Sequence, residues 1–400
     1  MQNFVKITDD LFYVGASDRR IPLFESAYPV PRGVSYNSYL LLDEKTALFD
    51  TVDKSVSEEF FENAEGVLNG RPLDYLVIHH MEPDHSASFE GIVSRYPNVK
   101  LVVNQKIAVM LKNYFSCALP ELVVVKDGDA ISFGKHSFRF VFAPMVHWPE
   151  VMVSFDESTG TLFSADAFGT FGALSGSIFA DEVNFEEEFL PDARRYYLNI
   201  VGKYGVQVQN VLKKAAALPI KTVCPLHGPV WRKNFPWFLN KYDIWSKYEP
   251  EEKGVAVFCA SIYGHTANAA KILASALAEK GVANVKLYDT SFTHYSELLA
   301  EAFRYSHVVF ASPTYNNGIF VSMEQFLNEL VSHNYQNRAF ALIENGSWAP
   351  QAGKLMREKL SALKNMREIG EGVTVLSSVK AETKEKLYKL AEEIAVDFKK

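Results

Sequence analysis

Leu76-Val77-Ile78-His79-His80-Met81-Glu82-Pro83-Asp84-His85 is the most informative stretch of this 400-residue chain. An apolar run, the pattern of a buried strand, passes directly into metal-ligand chemistry. His80, Glu82 and Asp84 alternate, and His85 follows at once. Pro83 limits helix continuation and predicts a sharp, fixed loop. Four potential ligands on six residues can wrap two neighbouring metal ions. His79 lies beside the motif but outside its alternation and reads as structural.

Three more candidates follow downstream. They are His147 before Trp148 and Pro149, Asp166 in Ser164-Ala165-Asp166-Ala167-Phe168-Gly169, and His227 in Cys224-Pro225-Leu226-His227-Gly228-Pro229. Each comes just after a short apolar run, where loops on a rigid sheet carry chemistry. Taken singly, His147 or His227 reads as a hydrogen-bonded histidine and Asp166 as a turn cap. Seven residues of ligand type in this order predict a metal site. His136, His294, His307 and His333 have no such pattern around them and read as ordinary hydrogen-bonding residues.

The chain has two grammars. Up to about Ser246 it reads as many short strands with occasional helices. Thr46–Asp50, Tyr75–His79, Val99–Val103, Ser137–Ala143, Val151–Phe155 and Thr161–Ala165 are expected strands. Ser57–Leu68 and the long amphipathic run Asp192–Leu218 are expected helices. Ser246–Lys253 is charged, contains Pro250 and reads as a linker. Beyond it strands and helices alternate: Val255–Ala260, Val285–Asp289, Val308–Ser312 and Ala339–Ile343 as strands, Ala267–Lys280 and Ala381–Lys399 as helices. Such alternation means a parallel sheet covered on both faces.

Three loops of this second part share one chemistry. Val255–Ala260 empties into Ser261-Ile262-Tyr263-Gly264-His265-Thr266, with a helix immediately after. Hydroxyls, a glycine and the free N–H groups of a helix start form an anion cradle. No lysine lies in the loop, which suits a monophosphate held by neutral donors and the helix dipole. The next strand ends in Pro313-Thr314-Tyr315-Asn316-Asn317-Gly318, the one after in Asn345-Gly346-Ser347-Trp348. Both lie where a doubly wound sheet binds its ligand. Tyr315 and Trp348 are placed to stack on or border a flat ring, with loop packing as the alternative for either one. The three loops together resemble those of flavodoxins, which implies FMN. FAD is disfavoured because no GxGxxG unit is present.

Composition narrows the class. Hydrophobic residues make up 48% and aromatics 13%, a globular balance with ample large side chains. The net charge of −7 argues against general nucleic-acid binding. No apolar run is long enough to span a bilayer. Lys6, Asp9 and Asp10 interrupt any leader-like core, so a cytoplasmic location is expected. Cys117, Cys224 and Cys259 are dispersed and form no thiolate metal motif; they read as small buried filler.

HxExDH from His80 to His85, then His147-Trp148, then Ser164-Ala165-Asp166, then His227-Gly228 resembles the metallo-β-lactamase superfamily. Its hydrolases carry histidine where this chain has Glu82. A carboxylate among imidazoles suits iron better than a nitrogen-rich zinc site does. The substitution, joined to the flavodoxin-like part and to Tyr28–Gly33 and Ser35–Leu40, resembles the flavodiiron proteins over essentially the whole chain, in their minimal two-domain form. The resemblance implies an α/β chain: a metallo-β-lactamase-like αββα sandwich over residues 1–248, then a flavodoxin-like doubly wound parallel sheet over residues 254–400. It implies one iron at His80, Glu82 and His147, a second at Asp84 and His227, and Asp166 between them. His85 occupies a position that is a ligand in some members and merely adjacent in others. Glu150 stands where aspartate is expected, outside the ligand set.

The function implied is reduction of O2 to water, of NO to N2O, or of both, with electrons from rubredoxin or a similar small carrier. A head-to-tail homodimer, or a dimer of such dimers, would place each flavin against its partner's irons. A metallo-hydrolase fused to an electron-transfer domain is the alternative, and Glu82 counts against it. Tyr28 and Trp148 are candidate pocket residues, though core packing explains either one equally well.

Overall fold

The computed structural model describes residues 3–400. Met1 and Gln2, at the start of the expected first domain, lie outside the described residues. The chain forms two compact units: Met1–Tyr197 with Val206–Tyr242, and Leu198–Gly205 with Asp243–Lys400.

The first unit is built on two sheets. One runs in the order Val5–Lys6, Leu11–Tyr13, Tyr39–Leu42, Thr46–Phe49, Tyr75–Val77, Lys100–Val103, Leu122–Val124. Its pairing is antiparallel as far as Thr46–Phe49 and parallel beyond. The other orders Ala130–Ser132, Ser137–Phe142, Met152–Asp156, Thr161–Phe163 and Thr222–Cys224, with only the last pair parallel. Their inner faces meet through aromatic rings: Phe49 stacks on Phe163 at 4.2 Å and leans on Phe138 at 5.0 Å. All three are buried, and each such ring stabilises the fold by about 1.5–3 kcal/mol relative to exposure. The helices Ser57–Leu68 and Gln105–Tyr114 pack on the first sheet, and Gly205–Ala215 on the second, completing the αββα layers. Phe60, Ala64, Val67 and Leu68 form the buried stripe of Ser57–Leu68, whose end is set by left-handed Asn69.

Strand direction places the chemistry. Ser137–Phe142, Thr161–Phe163 and Thr222–Cys224 all run the same way, so their carboxyl ends share one edge. The loops leaving that edge carry His147, Asp166 and His227.

Several expectations are corrected. The helix expected over Asp192–Leu218 is broken into Leu190–Tyr196, a wider turn at Tyr197–Val201, a tighter one at Gly202–Tyr204, and Gly205–Ala215. Gly202 and Gly205 weaken the run. A Cβ on Gly205 would lie 2.4 Å from the Ser246 carbonyl oxygen, so close backbone approach requires glycine there. Pro83 does not prevent a helix but opens one, as the first residue of the single turn Pro83–Ser86, where its missing N–H costs nothing. The strand after the linker starts at Glu252, not Val255.

The second unit is a parallel sheet ordered Val285–Asp289, Glu252–Cys259, Tyr305–Tyr315, Ala339–Asn345, with Arg367–Glu368 and Val373–Val375 both pairing the last. The order reverses beside the first strand, which is the ligand-binding position of a flavodoxin-like sheet. Val257, Val309 and Ile343 pack against Leu273 and Leu277 of His265–Glu279 and Leu387 and Ile394 of Ala381–Phe398. The strand expected to stop at Ser312 continues to Tyr315, because Gly318–Ile319 folds back on it. The turn is made by Asn316 and Asn317, both with positive φ, a conformation asparagine tolerates. Among the described residues no helix is long and apolar enough to cross a membrane.

Candidate functional site

Seven side chains from four loops converge in the first unit. His80, Glu82, His147 and Asp166 form one set of donor atoms within 4.8 Å of one another, and Asp84, His85 and His227 form a second. Asp166 serves both. Its Oδ2 lies 3.4 Å from Nε2 of His80 and 3.2 Å from Nε2 of His147. Its Oδ1 lies 3.0 Å from Nε2 of His85 and 3.8 Å from Nε2 of His227. Glu82 Oε2 sits 3.2 Å from His80 Nε2 and 2.9 Å from His147 Nε2. Ala165, before Asp166, has φ +51, a strained conformation of the kind that accumulates at functional sites.

The donor set fits cations. Asp84 Oδ1 and Oδ2 and Asp166 Oδ1 are buried with no aligned hydrogen-bond partner. Nε2 of His85 and Nε2 of His227 face each other at 3.1 Å. Two imidazole lone pairs at that distance repel unless a proton or a metal ion takes them up. Protein-only balance is therefore reached by protonation. Burial opposes charge on His80, yet Asp166, Glu150 and Glu82 hold its pKa well above the usual range. Burial likewise opposes charge on Asp166, yet His85, His80 and His147 hold its carboxyl well below the usual range. A metal ion would take the place of those protons.

The opposite ring nitrogens are also held. His80 Nδ1 donates to Glu150 at 2.7 Å, and His227 Nδ1 donates to the Ser35 carbonyl at 2.7 Å. Outer partners of this kind orient metal-binding histidines. His79 stands apart, bonded to Asp50 at 2.6 Å and Ser154 at 2.8 Å. Trp148 sets its ring edge-on to His80 at 5.2 Å, on the rim of the cluster. Tyr28 packs against Phe171, ring centroids 6.3 Å apart.

Two neighbours of the cluster escaped the sequence reading. Tyr196 is buried, its ring 5.4 Å from that of His227 and its hydroxyl without a hydrogen-bond partner. Glu25 lies on a hairpin turn where it and Ser26 both have positive φ. Much of the residue is open to solvent, with its carboxyl group close to that of Glu82. Burial, then the charge of Glu82, pushes the Glu25 pKa up to about 8. No local motif marks either residue, since each reaches the site through tertiary packing alone.

The second unit holds a cleft of about 340 Å³ at the carboxyl ends of its strands. Ile262, Tyr263, His265 and Thr266 line it from the first loop, Pro313, Thr314, Asn316 and Asn317 from the second, and Asn345, Gly346, Ser347 and Trp348 from the third. Ser261 turns away and caps the helix, accepting from the N–H groups of Gly264 and Ala267 at 3.1 and 3.2 Å. Gly264 and Gly318 do not line the cleft, and neither does Tyr315, whose ring packs edge-on against Phe320. Tyr263 and Trp348 both line the cleft and are 87% and 81% exposed, two unpacked rings on one cleft. Ser377, missed in the sequence, lines the cleft too and bonds Ser347 at 2.8 Å. Among the described residues no lysine, arginine or carboxylate lines the cleft, so the set fits a phosphate held by neutral donors and a flat ring held by aromatics.

Residues 34–228 match the family model of the ODP family beta lactamase, and residues 257–391 that of flavodoxin. A nitric oxide reductase from Moorella thermoacetica is 31% identical over 99% of each chain. A solved flavo di-iron protein mutant from Thermotoga maritima, 25% identical, superposes with a TM-score of 0.90 over 100% of this chain and 99% of that one. This chain belongs to the flavodiiron family. It is a flavodiiron oxidoreductase, with a metallo-β-lactamase-like unit and a flavodoxin-like unit in that order. A second relative, the rubredoxin-oxygen oxidoreductase of Megalodesulfovibrio gigas, is 30% identical over 90% of this flavodiiron chain and 89% of its own. The solved rubredoxin oxygen:oxidoreductase from Desulfovibrio gigas, 28% identical, gives a TM-score of 0.93 over 99% of each chain.

Proposed function

We propose that this flavodiiron protein reduces O2 to water, NO to N2O, or both, at a pair of irons fed by FMN. The observation that carries the reading is the sharing of Asp166 between two donor sets, one oxygen toward each. His80, Glu82 and His147 would hold one iron, and Asp84 and His227 the other, with His85 available to it and Asp166 between the two. The loops at 261–266, 313–318 and 345–348 would hold FMN. The diiron domain is assigned to residues 1–248 and the FMN domain to residues 254–400. When bound, two ferrous ions and one reduced flavin would supply the four electrons that O2 reduction to water consumes, or the two that convert a pair of NO molecules to N2O and water.

The protein's own groups set the conditions. Glu150 and the Ser35 carbonyl fix the rings of His80 and His227, so both present Nε2 to the cluster. Trp148, Tyr196 and Phe24 ring the histidines with apolar surface and limit water. Thr266, buried at the helix start, would offer its donors to a phosphate.

The cofactor loops lie in different units of the chain. A head-to-tail homodimer, alone or paired into a tetramer, would bring each flavin to a partner's irons. The electron donor is assigned as a rubredoxin or similar small carrier, after the name of the Megalodesulfovibrio gigas relative. The cytoplasm is the location assigned. Metal and flavin analysis of the purified protein tests the reading. About two irons and one FMN per chain are expected. Stoichiometric zinc with little iron would point to a hydrolase instead.

A further inference from the structure

Behind the loops that carry His147 and Asp166 lies an apolar space lined by none of the seven donor side chains. It is a cavity of about 30 Å³ between the outer face of the second sheet and the helix Gly205–Ala215. Two of its walls are extensions of the site: Val146 directly precedes His147, and Ala167 and Phe168 directly follow Asp166. Phe168 is buried with φ +69, so its backbone conformation is held by packing, with its ring against Tyr242 at 4.5 Å.

The cavity is apolar. The side-chain hydroxyls on its lining belong to Ser164 and Tyr242, and both are engaged. Ser164 Oγ donates to the Ala167 carbonyl at 2.7 Å, and the Tyr242 hydroxyl accepts from the Phe168 N–H at 2.7 Å. A buried water needs about two to four polar partners, and these walls do not supply them. By volume the space exceeds the roughly 10–15 Å³ that admits one water-sized molecule, so it holds a small molecule but no organic substrate. A diatomic gas is weakly hydrated and carries no group that must be hydrogen-bonded. Moving it from water into such a space has no desolvation penalty of the kind a polar molecule incurs.

We propose that this cavity is a binding site for an apolar diatomic gas, a store beside the metal cluster that raises the local concentration of O2 or NO. The identity of the gas rests on the function proposed above; the existence of the site does not. Val146, Ala167 and Phe168 form part of its wall, one or two residues in the chain from His147 and Asp166, so gas leaving the store has only these short segments between it and the cluster.

Crystals of the holoprotein pressurised with xenon test the site, and two variants test its role. Val211→Phe and Ala215→Leu each fill the cavity from its helical wall, whose lining includes no residue of the donor sets or the flavin loops. Xenon density is expected in the wild-type cavity and lost in Val211→Phe. Both variants should raise the KM for the gas several-fold, with kcat at saturating gas and iron content unchanged. The inference is overturned if wild-type crystals show no xenon there. It is overturned equally if a folded variant that has lost the xenon keeps the wild-type KM. Two separate positions guard against one variant misfolding. A protein that turns over gas but binds no xenon loses the cavity site alone. One that binds xenon yet consumes neither gas loses the proposed function and, with it, the cavity's role as a substrate store.

Discussion

One oxygen of Glu150 accepts from Nδ1 of His80 at 2.7 Å and from the backbone N–H of Met81 at 3.0 Å. The bond settles which nitrogen of His80 faces the donor sets, and it anchors the loop at the same point. Glutamate stands here where the family resemblance leads one to expect aspartate, and the longer side chain spans the gap from a loop 70 residues away. Glu150→Ala should lower iron affinity by roughly 10–100-fold, the usual cost of losing such a partner. Glu150→Gln keeps an acceptor oxygen and should lose less. Competition with a calibrated chelator measures both. Equal affinity in wild type and Glu150→Ala would remove Glu150 from the account.

Asp166 presents one oxygen to each donor set, so removing it should harm both. Asp166→Ala is expected to lose iron from both positions and to keep FMN, since the flavin loops lie in the other unit. Metal analysis and flavin absorbance on one sample provide the check. Full iron content in this variant would sink the shared-ligand reading, and loss of FMN together with iron in a folded protein would sink the two-site reading.

Trp348 is too exposed for a ring of its size to be explained by core packing. Its side chain borders the cleft that is assigned to FMN. Trp348→Ala should weaken FMN binding by about 1 kcal/mol, roughly fivefold in Kd. Flavin fluorescence quenching on titration into the flavin-free protein reads this directly. An unchanged Kd would mean that the ring does not border the flavin.

His136 gives a pH dependence remote from the cluster. It is buried between Asp156, at 2.7 Å from Nδ1, and Asp10, at 2.9 Å from Nε2. The Asp156 hydrogen bond, opposed by burial and helped by Asp10, pushes its pKa up to about 9. A folded pKa above the unfolded value of about 6.5 gives stability that is complete below pH 6.5 and is lost as pH rises through about 9. The wild-type Tm should therefore fall between those limits by more than that of His136→Gln. Parallel Tm–pH profiles would contradict the assignment.

The clustering of the candidate donors was legible because they sit on loops leaving strands of regular pattern. His80, Glu82, Asp84 and His85 are nearly contiguous, and His147, Asp166 and His227 each follow an apolar run. The alternation of the second unit was legible for the same reason, as was the isolation of His79. What remained hidden depends on packing between distant segments. Glu25 reaches Glu82 from a strained hairpin, and Tyr196 reaches His227 from a helix that should have run on to Leu218. The sequence did not show that the Asn316–Asn317 turn folds the second loop back and packs Tyr315 against Phe320. Local composition cannot report which way such a turn aims a ring.

In the proposed function the metal cluster, and not the flavin alone, reduces the gas. Oxygen consumption with peroxide detection, comparing full-length protein and Asp166→Ala at equal bound FMN, tests it most directly. Free reduced flavin reacts slowly with O2 and releases peroxide, so a flavin-only protein should do the same. The account predicts fast consumption without peroxide by the full-length protein, and slow, peroxide-yielding consumption by the variant. Equal rates, with no peroxide from either, would contradict it.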